Sequence, residues 1–305
     1  MREYALRRLI GALVVVLLVS IVVFALMHML PGDALLTKLG ETGRIPQEQL
    51  DELRGEMGLD DPLYVQYLRW VADIFDGSMG ESLIFDGQSV SGRLADSLPV
   101  TLELSILGLV VALVLGVPLG VLSAVFQDSL LDYALRMLAL VSLSVPSFWI
   151  GLIVIVYGTL YLGYSQPTEY VSLAEDPVEN LRQIWIPVIV LGTSLAATIM
   201  RMARSTILEA LREDYVRTAR AKGLAQSAVV WRHMLKNALI PVITVVGMEA
   251  GYIFGGAFLI EAVFYLPGIA TYALLAVNQR DYPVLQTVVL LVTAVFMLIN
   301  LAVDV

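Results

Sequence analysis

The chain is predicted to be all-α: a polytopic membrane protein with six transmembrane helices. Three observations predict it. Apolar residues make up 58% of the sequence and charged residues only 15%, against about a quarter charged in soluble domains. The apolar residues are gathered into blocks of about 20, enough to cross a ~30 Å hydrocarbon layer as helix. No block shows the ~10-residue alternation of a membrane β-barrel, and lipid offers no partner for unpaired backbone groups, which leaves helices.

The six runs are expected near residues 9–30, 98–125, 135–162, 184–203, 240–262 and 284–305. Arg2, Arg7 and Arg8 precede the first run. It is too long for a signal-peptide apolar region and no small-residue cleavage site follows, so an uncleaved helix is expected. The third run is the longest and is expected to tilt or protrude. The sixth reaches Val305, which leaves a short cytoplasmic tail beyond it open. There is no cysteine, so disulfides and thiolate metal sites are excluded. His28 and His233 are single and far apart, so no metal site is expected.

Lysine and arginine set the orientation. With the N-terminus inside, twelve of the nineteen basic residues face the cytoplasm. Residues 31–97, then outside, carry 13 acids against five bases. The overall charge of −9 comes mostly from this segment and implies no nucleic-acid partner. Within it, residues 46–54 read as a short helix opened by proline. Residues 62–75 read as a second, with Leu63, Tyr67, Trp70, Val71 and Ile74 at helical spacing. Gly77, Gly80 and Gly87 mark turns. The segment is expected to be a cap packed on the outer face, or a docking surface for an external partner. The domain reading is therefore 1–30 as N-terminal segment and first helix, 31–97 as external insert, and 98–305 as the membrane core.

Within the core, residues 204–239 form the longest cytoplasmic segment, with a net charge of +4. Asp214 reads as a helix N-cap, Tyr215 to Lys222 as helix, and Gly223 as the left-handed residue that closes it. Tyr215, Ala219 and Lys222 are expected on one face, with Val216 and Arg220 on another. Ala219 and Ala221 are small enough for a partner's surface to approach the backbone. Ser227 reads as the cap of a second helix carrying Trp231, Met234 and Leu235, and Pro241 as the turn into the fifth run.

In the spans, Pro118, Pro146 and Pro187 are expected to kink their helices, either statically or as hinges. Gly247, Gly251 and Gly255 are spaced by four, a stripe that suits close helix packing or a sliding seam. An acid at mid-membrane costs about 3 kcal/mol, which draws attention to Glu103, Glu249 and Glu261. Glu103 and Glu261 are expected near the outer, wetter ends. Glu249 is deeper, either lining a pore or bonding another helix. No G-x-x-x-x-G-K-[ST] loop, H-E-x-x-H or G-x-S-x-G is present, so no constellation for ATP binding or hydrolysis is found.

The run Tyr215-Val-Arg-Thr-Ala-Arg-Ala-Lys-Gly223, followed by His233, Asn237, Leu239 and Pro241, resembles the coupling loop of ABC importer permeases, more narrowly of the peptide/nickel branch. Leu30-Pro-Gly-Asp33, Ser97-Leu-Pro-Val-Thr-Leu-Glu103, Val145-Pro-Ser-Phe-Trp149, Glu261-x-Val-Phe-x-x-Pro-Gly268 and Arg280-Asp-Tyr-Pro-Val284 extend the resemblance, in order, to nearly the whole chain. The long insert resembles the first of two permease subunits. The resemblance implies a type I importer transmembrane domain whose last five helices form the shared core. It implies a homologous second permease, two ABC ATPase subunits and an external solute-binding protein as partners. Asp214, Tyr215, Ala219, Arg220, Lys222 and Gly223 would form the ATPase-coupling site, with Ala219 and Gly223 at closest approach. Glu249, Gly247, Gly251, Gly255 and Pro146 are the candidates for pore or gate. Di- or oligopeptides are the expected cargo, and no cofactor is expected. Nickel or another small solute stays open, as does an autonomous channel or ion-coupled transporter. The latter would be expected to show inverted repeats and a midplane ion site, and neither is found.

Overall fold

The computed structural model describes residues 2–29, 54, 55, 58–84, 89–167, 169–225, 229 and 235–304. Among them the chain forms ten long or medium helices: α1 (Arg2–Met29), α2 (Leu63–Asp76), α3 (Val90–Val125), α4 (Leu130–Ser144), α5 (Ser147–Leu162), α6 (Pro177–Ala210), α7 (Asp214–Ala221), α8 (Leu235–Phe264), α9 (Ile269–Gln279) and α10 (Tyr282–Asp304). Five of these are long and apolar enough to cross a membrane, and α4 with α5 supplies a sixth crossing if the bent pair is one span. The helix expected over 46–54 lies outside the described residues except for Arg54, as do Leu30-Pro-Gly-Asp33 and Gly87.

The third run departs from expectation. It is not one tilted span but two helices that meet at 94°. Pro146 is the cause. It lacks an N–H and crowds the preceding residue out of the helical region. Val145 accordingly sits at φ −101° and ψ 123°, and Pro146 precedes the first residue of α5. By contrast α6 runs unbroken through Pro187, and α3 through Pro118. Pro241 also lies inside its helix rather than at the turn into it, because α8 already begins at Leu235.

The helices fall into two compact units, Met1–Val100 with Pro267–Val305, and Thr101–Leu266. In the first unit α1 packs along α10. The amphipathic α2 lies against both. Trp70 is buried and donates from Nε1 to Thr287 Oγ1 at 3.2 Å. Tyr67 and Ser20 share a hydrogen bond of 2.9 Å, and the Phe24 ring meets those of Tyr67 and Trp70. His28 is held between the Phe24 carbonyl and Gln66 Oε1. Leu63, expected on this inner stripe, is exposed. Gly77 (φ 86°) and Gly80 (φ 83°) turn the chain after α2. Asp281, in the α9–α10 turn, then accepts from Ser82 Oγ and from the Leu83 N–H. Burial pushes its carboxyl above the usual range, although these hydrogen bonds pull it down.

The second unit is organised around α6, which packs on α4, α5 and α8 and buries a stripe from Ile184 to Ala210. It also meets α3 at backbone distance. A Cβ added at Gly116 would lie 2.8 Å from the Ala196 carbonyl oxygen, one at Gly120 2.7 Å from that of Met200, and one at Gly192 2.7 Å from that of Gly108. Gly108, Ala112, Gly116 and Gly120 recur every four residues along α3, so one helical face carries nothing larger than a methyl group to hold α6 away.

Candidate coupling site

After α6 ends at Ala210, a short turn leads into α7. The Glu213 carbonyl accepts the N–H groups of Val216 and Arg217, so the helix begins one residue earlier in hydrogen bonding than the expected Asp214 cap. Asp214 is the first helical residue, and its carboxylate stands 3.5 Å from Arg217 Nη1. Both side chains are exposed, and such pairs contribute little.

What holds α7 is its inner face. Val216 and Ala219 are buried in one cluster with Ala203, Ile207 and Ala210 of α6, Val121 and Ala124 of α3, and Val242 of α8. Fully burying Val216 contributes roughly 1.5 to 3 kcal/mol. This corrects the expected assignment of faces. At about 100° per residue, Ala219 lies between the directions of Tyr215 and Val216, and the structure turns it inward. Its small size serves packing within the chain, not approach by a partner. The exposed side presents Tyr215, Arg217, Thr218 and Lys222. The side chain of Arg220 lies outside the described residues, as do Ser227, Trp231, His233 and Met234.

Gly223 closes the helix at φ 77°. The Leu224 N–H returns to the Ala219 carbonyl at 3.4 Å, the six-to-one bond of a Schellman turn. A Cβ on Gly223 would meet nothing within 4 Å, so the residue faces open space.

Below this platform lies a cluster that sequence reading missed. Asp132 is fully buried at the start of α4. Arg204 of α6 donates to it twice, from Nε at 2.9 Å and from Nη2 at 2.8 Å. Ser123 Oγ donates at 2.5 Å and the Asp128 N–H at 3.1 Å. Arg136 stands 3.8 Å away. Both carboxylate oxygens are thus satisfied, and α3, α4 and α6 are tied at the end from which α7 departs. The only local signal was Ser129-x-x-Asp132, where Ser129 Oγ accepts the Asp132 N–H at 3.3 Å.

The remaining candidates disperse. Gly247 and Gly251 are buried on α8, whereas Gly255 is exposed with nothing within 4 Å of an added Cβ. Glu249 is half-buried on the same helix. Pro146 marks the α4–α5 break. Glu261 is not wet as expected but has no accessible surface. Glu103, half-buried, accepts from Tyr170 OH at 2.6 Å and from Asn180 Nδ2 at 3.3 Å.

Known proteins resemble this sequence over its full length. The family described as "Binding-protein-dependent transport system inner membrane component" matches residues 116–305, and its N-terminal counterpart matches residues 1–105. The dipeptide transport system permease protein DppB of Alkalihalophilus pseudofirmus is 38% identical over 100% of this chain and 96% of its own length. The di/tripeptide transport system permease protein DppB of Pseudomonas aeruginosa is 39% identical over 94% and 91%. Among solved structures, an amino acid ABC transporter crystallised with histidines aligns at a TM-score of 0.53 and 15% identity, covering 70% of this chain and 92% of that one. That likeness shows the fold.

Proposed function

The chain belongs to the family of binding-protein-dependent transport inner-membrane components, and from that premise we propose that it is the permease subunit through which an ATP-driven importer carries di- or oligopeptides. The observation that carries the reading is similarity at 38–39% identity, across nearly the whole chain, to permeases named for dipeptide and di/tripeptide transport. The geometry of α7 supports the coupling role. It is a short exposed helix seated by Val216 and Ala219 on the core of the second unit, so a load applied to it reaches α6 without passing through a loose loop.

In this reading the N-terminus and the arginine-rich end are cytoplasmic, in line with the charge bias. An ATPase subunit seats against Tyr215, Arg217, Lys222 and Gly223. A second, homologous permease completes the pathway, and its own coupling helix engages a second ATPase. ATP binding draws the two coupling helices together, and an external binding protein delivers the peptide to the far face. This chain holds no P-loop, so the hydrolysis is the partners' work.

Co-expression with the neighbouring permease and ATPase genes tests this. The complex should co-purify, and reconstituted vesicles should take up a labelled dipeptide only with ATP and the binding protein. Full-rate uptake by this chain alone, without nucleotide, would overturn the reading in favour of an autonomous transporter.

A further inference from the structure

Between α4 and α6 lies a cavity of 470 Å³ whose two ends differ in chemistry. Its mouth carries Arg136, Arg201, Arg204 and Arg212, with Glu209 among them. Arg204 spends its charge on Asp132, and Arg136 stands 3.8 Å from the same carboxylate. Arg201 and Arg212 are exposed and have no ion pair among the described residues. Two guanidiniums are therefore left to offset, at most, the single carboxylate of Glu209. The other end is walled by Ala139, Leu140, Leu143 and Met200. Leu143 lies seven residues along α4 from Arg136, about 10 Å further from the start of that helix. Leu140 and Leu143 are exposed.

We propose that this cavity binds an anionic phospholipid, with its headgroup in the arginine-lined mouth that includes Arg201 and Arg212 and the head of an acyl chain along Leu140 and Leu143. The cavity rests on the orientation proposed above, which sets these arginines at cytoplasmic headgroup depth. A basic pocket between membrane helices on that side suits an anionic headgroup. A free phosphate would use the mouth and leave the leucine wall bare, whereas a lipid uses both. Arg212 lies two residues before Asp214, so a bound headgroup would also pin the end of α6 from which α7 departs.

The test is native mass spectrometry of the purified complex titrated with phosphatidylglycerol and with phosphatidylcholine of identical chains. Phosphatidylglycerol should be retained preferentially. Each guanidinium near the headgroup is worth about five-fold in affinity, so Arg201→Gln with Arg212→Gln should weaken phosphatidylglycerol by about 25-fold. Arg7→Gln with Arg8→Gln removes the same charge from the start of α1, outside the cavity, and should change it less than two-fold. Should the glutamine pair fail to fold, Arg201→Lys with Arg212→Lys keeps the charge and should retain most of the preference. Equal retention of both lipids, an unchanged Arg201/Arg212 glutamine variant, an equal loss in the α1 control, or loss of preference in the lysine pair would each overturn the proposal. Displacement of the lipid by millimolar inorganic phosphate would assign the mouth to a bare anion and also overturn it. Co-purification of the ATPase is scored separately. A variant that loses lipid preference but keeps the ATPase supports the inference, while a wild-type chain that binds the lipid and no ATPase refutes the coupling reading instead.

Discussion

Gly223 is where the needs of the chain can be told apart from those of the proposed ATPase partner. Its φ of 77° places it in the left-handed region, yet a Cβ there would touch nothing within 4 Å. Within this chain, alanine and tryptophan thus meet the same backbone strain, and neither meets a clash at its Cβ. That strain is about 1–2 kcal/mol, a factor of roughly 5 to 30 in the ratio of closed to open turn. Hydrogen exchange reads it at the Leu224 amide, bonded to Ala219, and at Lys222, bonded to Thr218 at 3.1 Å. Both amides should exchange about 5 to 30 times faster in Gly223→Ala, with Gly223→Asn in between, because asparagine tolerates this conformation better. Exchange at the wild-type rate in the alanine variant would refute the left-handed cap. The second assay is assembly with the ATPase. Only a surface seated against the turn can feel an indole, so Gly223→Trp should lose far more co-purified ATPase than Gly223→Ala. Equal retention by the two variants would refute the seat.

Three further outcomes follow from the packing. Asp132→Ala strands the Arg204 guanidinium, only 19% exposed, and should cost about 3–5 kcal/mol, read as a lowered thermal midpoint in detergent; Ser123→Ala, which removes one hydrogen bond, should cost about 1 kcal/mol. Gly120→Ala drives a methyl to 2.7 Å from backbone and from Ala203 Cβ and should cost about 1–3 kcal/mol by the same measure, whereas Gly255→Ala should leave the isolated chain unharmed and lower activity only if a second permease packs there. Burial raises the Asp281 carboxyl above its unfolded value, so its contribution is fully present below about pH 4 and is lost as pH rises through the folded value; Asp281→Asn should flatten that part of the stability–pH curve, and an unchanged slope would count against the burial.

Five of the six expected membrane runs are single helices long and apolar enough to cross, and they were legible because bilayer thickness imposes a length on each. The break at Pro146 was legible in kind but not in degree. Proline disfavours the helix geometry before it, but a largely apolar run of 28 residues also fits one tilted span, and only packing decides between them. Ala219 was misplaced because a small residue suits a partner's approach and an internal contact equally well. The glycine stripe chosen on α8 shared its four-residue spacing with Gly108, Ala112, Gly116 and Gly120 of α3. Spacing shows that a close contact is possible and does not say which helix makes it. Beyond Ser129-x-x-Asp132, the Asp132–Arg204 pairing left no trace in the sequence, since its members lie 72 residues apart and meet only once α4 is laid on α6.

These contacts divide the second unit into parts that move together and a place where they need not. The small-residue face of α3 leaves α6 no room to slide without a backbone collision. The Asp132 cluster then fixes the same helices, and the α4 start, at one end. Val216 and Ala219 add α7 to that block. A force on α7 should therefore reach α3 and α6 through Val216 and Ala219, which are buried in one cluster with them. The α4–α5 junction is different in kind. Pro146 supplies no N–H to carry the α4 hydrogen-bond ladder onward, so the angle there is set by packing and not by backbone bonds. If the unit bends when α7 is loaded, the least costly place is Val145–Pro146, and the stiff arm is the α3–α6–α7 block on its other side.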